Sequence, residues 1–395
     1  MKGYQFEDTQ GTFHLKKAEN ISYLYFPIAG EAGLKSSFTP NLGGDAKIDQ
    51  NTFLLEPVSA ENLVNNRNSR NFWCNVKGIG SWSLTGHSAE ELSKKFTEMQ
   101  DDSEVTAGFM WQKTTRESKK YQLRGEILSF IPVDKNVGIM LVTITNTGRM
   151  AQTVTPTAAI PLYGRSADNI RDHRHVTSLL HRIETTDTGV LVTPTLSFDE
   201  RGHQVNHMTY YCVGWSGNGE KPVDFYPTAE DFVGEGGNFE RPYAIVKNAE
   251  GVKAGTRIEG LEAVGGLHFS EVTLEPEEEC SYLIFTGITE DIQEIRNLSK
   301  TYTTREKVLE ELEKTKAYWQ EKVNVAYHTG DSDFNQFMHW VSFQPILRRI
   351  YGCSFLPHHD YGKGGRGWRD LWQDCLALLI MNPDGVRQML LDNFA

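Results

Sequence analysis

No Cys-x-x-Cys pair occurs in this sequence, and its five cysteines (Cys74, Cys212, Cys280, Cys353 and Cys375) are odd in number and widely scattered. That spacing argues against a disulfide framework or a zinc site and fits buried thiols in a reducing cytosol. Cationic excess is missing too. The formal charge of −12 over 395 residues argues against nucleic acid or an anionic membrane as the main partner. A local cationic pocket remains compatible with it. The opening MKGYQFEDTQGTFHL lacks the apolar core of a signal peptide, and no stretch reaches transmembrane length. We therefore expect a cytoplasmic protein with no membrane or nucleic-acid partner.

Strand–helix alternation is absent from the first three quarters, which argues against a doubly wound sheet. What stands there is a series of short β-branched and aromatic runs separated by turn signals. Ile21 to Phe26, Ile139 to Thr145, Val190 to Phe198 and Thr209 to Trp215 are such runs. Val272 to Leu274 and Cys280 to Thr286, joined by Glu275-Pro276-Glu277-Glu278, read as a hairpin-like pair. The expectation is a large antiparallel sandwich.

Near residue 290 the period becomes helical. Thr304 can cap a helix with Val308, Leu312 and Trp319 on its apolar side. Phe334, Met338 (or Phe337), Val341 and Pro345 mark a second helix, which the proline should kink. Two more are expected at about Arg369 to Ile380 and Pro383 to Phe394. Four such segments cannot close a helical domain, so the sequence reads as cut short.

Tyr361 to Asp374, YGKGGRGWRDLWQD, contains Gly362-x-Gly364-x-x-Gly367, the spacing of a dinucleotide loop. That reading needs a buried strand before it, and the preceding CSFLPHHDY is broken by Pro357. A Walker loop fails because no Gly-Lys-Ser/Thr triplet follows. His358, His359 and Asp360 are consecutive and point to alternate sides when extended, so a polar rim is favoured over a metal site.

The next residues carry more chemistry. On a helix starting near Arg369, the side chains of Asp370, Gln373 and Asp374 share one side, flanked by Trp368 and Trp372. Carboxylates with an arginine bind hydroxyls in fixed geometry, and an indole covers the apolar face of a sugar ring. An acidic first turn with core tryptophans explains the same residues. Both readings stand on composition alone. Asn62 to Asn75, with Arg67, Arg70, Phe72 and Trp73, and Arg165 to Arg182, with four arginines and three histidines, are read first as a solvated loop and a charged strand edge, and second as ligand-facing rims.

The run from Trp340 through VSFQP-ILRR to GKGGRGWRDLWQD, following a long β region and a charged helix, resembles the cellobiose-phosphorylase-like enzymes of glycoside hydrolase family ninety-four. Its wording, with NPDGVRQMLLDNFA, is most similar to the branch acting on 1,2-β-oligoglucans. The resemblance implies a multi-domain β + α fold: an antiparallel β-sandwich (supersandwich) over residues 1–290, a helical linker over 291–330, and the first helices of a truncated (α/α)6 barrel over 331–395. It implies an inverting phosphorylase releasing α-glucose 1-phosphate, with a β-glucan oligosaccharide as partner, inorganic phosphate as co-substrate, no cofactor, and a homodimer. Arg369 and Asp374 are then expected to hold the glucosyl unit, and Arg366 and Asp370 to position it. The general acid and phosphate ligands of the family have no counterpart here, and neither Asp384 nor Asp392 is nominated. The polypeptide alone is expected to be inactive.

Overall fold

A computed structural model of the chain describes residues 3–21, 24–59, 62, 70–199, 202–352 and 367–393. The run VGIMLVTITN shows how the β region is built. It forms the strand Val137–Asn146, almost wholly buried. Met140, Val142 and Ile144 enter the main core, whereas Val137, Ile139 and Leu141 enter a second cluster on the opposite face. The two-residue pleat sends neighbours to opposite sides, so an apolar residue at almost every position means that both faces are covered.

This strand lies in an eleven-stranded antiparallel sheet, between Leu123–Phe130 and Glu279–Thr289. A six-stranded sheet centred on Gln152–Leu162 faces it. Between the two, Val142, Cys212 and Ile284 from the larger sheet meet Phe72, Val154, Ile160 and Leu267 from the smaller. Truncating one such residue, for instance Ile284→Ala, costs about 2–5 kcal/mol. Cys74 and Cys212 are thiols in this core, and burial pushes the ionisation of both upward. The outer face of the smaller sheet is covered by Ala229–Val233 and Tyr243–Lys247, two helices whose Phe232 and Ile245 pack on Trp73 and Tyr226.

Two sequence expectations are corrected. Val272–Leu274 does not pair with the strand that follows it. It pairs with Gln152–Leu162 in the smaller sheet, while Glu279–Thr289 sits in the larger one between Val137–Asn146 and Thr209–Ser216. The Glu275–Glu278 turn thus carries the chain across the end of the sandwich. Leu274 and Tyr282 enter the same core from opposite sheets, and that burial outweighs local pairing. The run Val190 to Phe198 is also two strands, Gly189–Val192 and Leu196–Asp199, with Pro194 between them. Proline has no amide to give a ladder. Of the run Ile21 to Phe26, residues 22 and 23 lie outside the described set, and the strand observed there is Phe26–Ala29.

The helices follow in order. Ile292–Thr301 and Arg305–Lys322 lay Ile295, Leu298, Val308 and Leu312 on the outer face of the larger sheet, against Phe285 and Trp215. Trp319 is buried further along, against Phe343. Ser332–Tyr351 is capped by Asp331, whose carboxylate accepts from the amides of Asp333 and Phe334, and it runs on through Pro345. Its buried side differs from the expected stripe. Phe343, Ile346 and Leu347 are buried with Pro345, whereas Phe334, Phe337 and Val341 are exposed. The cause is the direction of docking: Trp340 and Phe343 lock onto Phe13, Phe26 and Phe109 of the β region. Trp368–Met381 and Val386–Asp392 complete the described chain. Among the described residues, no helix is long and apolar enough to cross a membrane.

Candidate functional site

The Trp368–Met381 helix begins after Gly367, which occupies the N-cap position without a side chain. A Cβ at Gly367 would stand 3.1 Å from Oδ2 of Asp370, so the glycine leaves room for the first-turn carboxylate. Asp370 lies in the first turn, at the positive end of the helix dipole. Arg369 is 82% exposed and pairs with Asp370 at 3.3 Å. An ion pair so open to water contributes little to stability. Trp368, Trp372 and Gln373 are exposed on the same stretch.

Asp374 behaves differently. One turn on from Asp370, it is 1% exposed and gripped by Arg348 of the Ser332–Tyr351 helix. Nε of Arg348 donates to both carboxylate oxygens at 2.8 Å, and Nη2 adds a further bond to Oδ1. The hydrogen bond to Asp374 raises the Arg348 guanidinium above its ordinary value, against the effect of burial, with the charges of Asp374 and Asp370 adding to it. A planar fork on a carboxylate fixes orientation as well as charge.

The expected face of Asp370, Gln373 and Asp374 is therefore split. Two of its members meet solvent and Asp374 turns inward to Arg348. Arg366, with Gly362, Gly364 and the His358-His359-Asp360 triplet, lies outside the described residues. Sequence spacing does not single out Arg348 as the partner of Asp374. Its signal was present, since ILRR gives adjacent arginines in a last turn, but such cations usually need no partner beyond the helix dipole.

One arginine of each polar stretch of the β region, Arg70 and Arg165, is buried as an internal support. Arg70 is 2% exposed, donates to the carbonyls of Leu42, Gly43 and Asp45, and lies 3.8 Å over the Phe38 ring. Arg67 falls outside the described residues. In the second stretch, Arg165 pairs with Glu262 and Arg174 with Glu56. Burial, with the nearby Arg165 charge, pulls His181 down to about 3, so it is neutral at ordinary pH.

The fold and this helix start define the class first: a large antiparallel sandwich followed by helices that carry a polar, tryptophan-flanked helix start. A family model described as glycosyl hydrolase 94, supersandwich domain, matches residues 55–305, and the chain belongs to that family. Among curated proteins, the cyclic beta-(1,2)-glucan synthase NdvB of Rhizobium meliloti (strain 1021) is 25% identical over 185 residues, 46% of this chain and 6% of that protein. Among solved structures, a bacterial glucoamylase complexed with acarbose aligns with a TM-score of 0.43 at 10% identity, over 85% of this chain and 40% of its own. A protein described as kojibiose phosphorylase, from the human microbiome, aligns with a TM-score of 0.36 at 8% identity, over 87% of this chain and 39% of its own. The chain thus spans 6% of the curated relative's length and about two fifths of each structure.

Proposed function

We propose that this chain is the N-terminal part of an inverting β-glucoside phosphorylase acting on 1,2-β-linked oligoglucans. The carrying observation is Arg369-Asp370-Leu371-Trp372-Gln373-Asp374 at a helix start, in a chain whose β region belongs to the glycosyl hydrolase 94 family. A curated relative named for a cyclic β-(1,2)-glucan supports the linkage.

On this reading, residues 1–290 form the sandwich, 291–330 the linker and 331–395 the first helices of an (α/α)6 barrel. The exposed apolar side chains of Phe334, Phe337, Val341, Leu376, Leu379 and Ile380 support the barrel assignment, since further helices would cover them. Arg369 donates to glucosyl hydroxyls. Asp374, buried and held by Arg348, is the second residue assigned to the glucosyl unit. Arg366 and Asp370 position the sugar. In the reaction, a phosphate oxygen bonds to the anomeric carbon on the face opposite the leaving oxygen. The glycosidic bond breaks, and a general acid supplies the leaving oxygen with a proton. The acid and the phosphate ligands belong to parts of the barrel outside these residues, so the chain alone binds glucan without cutting it.

A synthase on the same barrel is the second reading, favoured by the name of the curated relative. The test incubates the purified chain with 1,2-β-oligoglucan and phosphate, following glucan binding and glucose 1-phosphate together. Binding without release is expected. Release of glucose 1-phosphate overturns the inactivity, and absence of binding overturns the sugar grip.

A further inference from the structure

Tyr211, on the Thr209–Ser216 strand, is 3% exposed, and its hydroxyl has no hydrogen-bond partner among the described residues. Unlike the hydroxyls of Tyr163 and Tyr210, it is not sealed in the interior: it opens into a cavity of about 240 Å³ that Tyr211 lines. Burial pushes its ionisation far upward, so it stays a neutral donor at ordinary pH. A buried hydroxyl left without a partner is unfavourable, and a polar group entering the cavity would relieve it. The neighbouring strand leaves room there. Gly287 stands opposite Tyr211 in the ladder, and a Cβ on it would lie 2.4 Å from the hydroxyl oxygen.

The cavity lies between the outer face of the larger sheet and the Ile292–Thr301 helix, with Val137 and Leu298 as its apolar wall. Two carboxamides line it with open N–H groups. Oδ1 of Asn136 accepts from the amide of Leu34 at 2.9 Å, and Oδ1 of Asn297 accepts from Lys300 at 3.4 Å. Neither NH2 group has an acceptor among the described residues. Glu294 supplies the opposite character: it accepts from the Thr289 hydroxyl at 2.6 Å and has no cation partner among the described residues. Lys135 and Asp134 at the rim are already matched, the lysine lying 3.4 Å from Asp134 and 3.7 Å from Glu311. An anion entering here would meet the uncompensated Glu294. A lone ammonium would satisfy Glu294 but leave the amide hydrogens of Asn136 and Asn297 with no acceptor. A hydroxyl both donates and accepts, and so answers all of these groups. The volume falls below the roughly 300–1,000 Å³ of sites for drug-sized molecules, which limits the ligand to about one ring.

We propose that this cavity binds one neutral, polyhydroxylated ring of hexopyranose size, held between the sandwich and the first linker helix. Tyr211, Asn136 and Asn297 donate to its hydroxyls, Glu294 accepts from one of them, and Val137 and Leu298 lie against its apolar face. The site shares no residue with the helix start at Arg369 and stands independently of the function proposed for it. A ligand touching both helix and sheet ties them together, so its binding should raise the melting temperature.

Glucose is titrated into the whole chain by calorimetry, with and without saturating 1,2-β-oligoglucan, which is too long for a one-ring cavity. Inorganic phosphate and methylammonium are titrated separately. The variants are Y211F, N297A and, as control, Y163F, which loses a hydroxyl sealed elsewhere in the sandwich. Y211F removes an unbonded hydroxyl and N297A an exposed amide on a helix, so both should keep the wild-type melting temperature or exceed it. Saturable glucose binding that oligoglucan does not displace is expected, weakened about tenfold in Y211F and in N297A and unchanged in Y163F. No saturable glucose binding overturns the site, as does glucose affinity unchanged in both Y211F and N297A. Glucose that oligoglucan displaces and that neither variant affects overturns it while leaving the proposed function standing. Phosphate or methylammonium binding that is sensitive to Y211F, without glucose binding, overturns the neutral-ligand class. Glucose binding weakened in Y211F and N297A, in a chain that binds no oligoglucan, supports this site and defeats the sugar grip at Arg369.

Discussion

Arg348 and Asp374 join the Ser332–Tyr351 and Trp368–Met381 helices through a guanidinium fork on a nearly inaccessible carboxylate. The pair fixes the turn of helix that also carries Arg369 and Asp370, so its geometry sets where those side chains stand. Asp374→Asn keeps the shape but removes the charge and turns one acceptor into a donor facing Arg348. We expect a loss of about 2–3 kcal/mol in urea unfolding, because one partner of a largely buried pair is left behind. Arg348→Lys should recover little of it, since an ammonium cannot reproduce the fork.

Arg369 gives the opposite expectation. Its side chain is largely in solvent and its contact with Asp370 is a surface ion pair. Arg369→Ala should leave the melting temperature unmoved while weakening 1,2-β-oligoglucan binding about tenfold or more, measured by calorimetry. Unchanged glucan affinity would remove Arg369 from the sugar site.

These two residues also show what the sequence could and could not reveal. The helix was legible because its apolar residues, Leu371, Cys375 and Leu378, recur at helical spacing and are all buried. The sandwich was legible because its strands are apolar runs cut by turn residues. The pairing Arg348 to Asp374 was not, since it joins positions 26 residues apart through a packing direction that no local pattern encodes. The exposed Phe334 and Val341 make the same point. Periodicity found the helix but not the side by which it docks, which the aromatic cluster around Trp340 decides. The supposed hairpin failed likewise, because a short turn between two strands does not reveal that they enter different sheets.

Glu31, beyond the Phe26–Ala29 strand, bonds to both Nη atoms of Arg349, at 2.9 and 2.6 Å, and accepts from the hydroxyl of Tyr318 at 3.0 Å. Burial would raise its pKa, but the hydrogen bond and charge of Arg349, with Tyr318, outweigh this and hold it below the ordinary 4.5. A folded value below the unfolded one means stability that is fully present above the ordinary value and lost as pH falls through the lowered one. Acidification below the ordinary 4.5 should therefore loosen the docking of the Ser332–Tyr351 helix on the β region. Glu31→Gln should flatten that part of the stability–pH profile and lower stability near neutrality. An identical acid limb in wild type and variant would remove Glu31 as a contributor.

Another clasp between helix and β region runs through Gly11. The indole Nε1 of Trp340 donates to its carbonyl at 2.8 Å, and its own amide donates to Oε1 of Gln336 at 2.9 Å. Gly11 sits at φ +88°, and an added Cβ would lie 3.3 Å from Trp340 Nε1. Gly11→Ala meets two penalties, a left-handed backbone and a crowded indole, and should cost about 1–2 kcal/mol. Trp340→Phe tests the indole separately: it keeps much of the packing against Phe13, Phe26 and Phe109 but leaves the Gly11 carbonyl without its donor. About 1–2 kcal/mol is expected for that change, and Trp340→Ala should exceed it because the ring is lost as well. Since the two sites share one hydrogen bond, the double variant Gly11→Ala/Trp340→Phe should cost less than the sum of the singles. Strict additivity in urea unfolding would mean that the indole bond does not couple the helix to the β region.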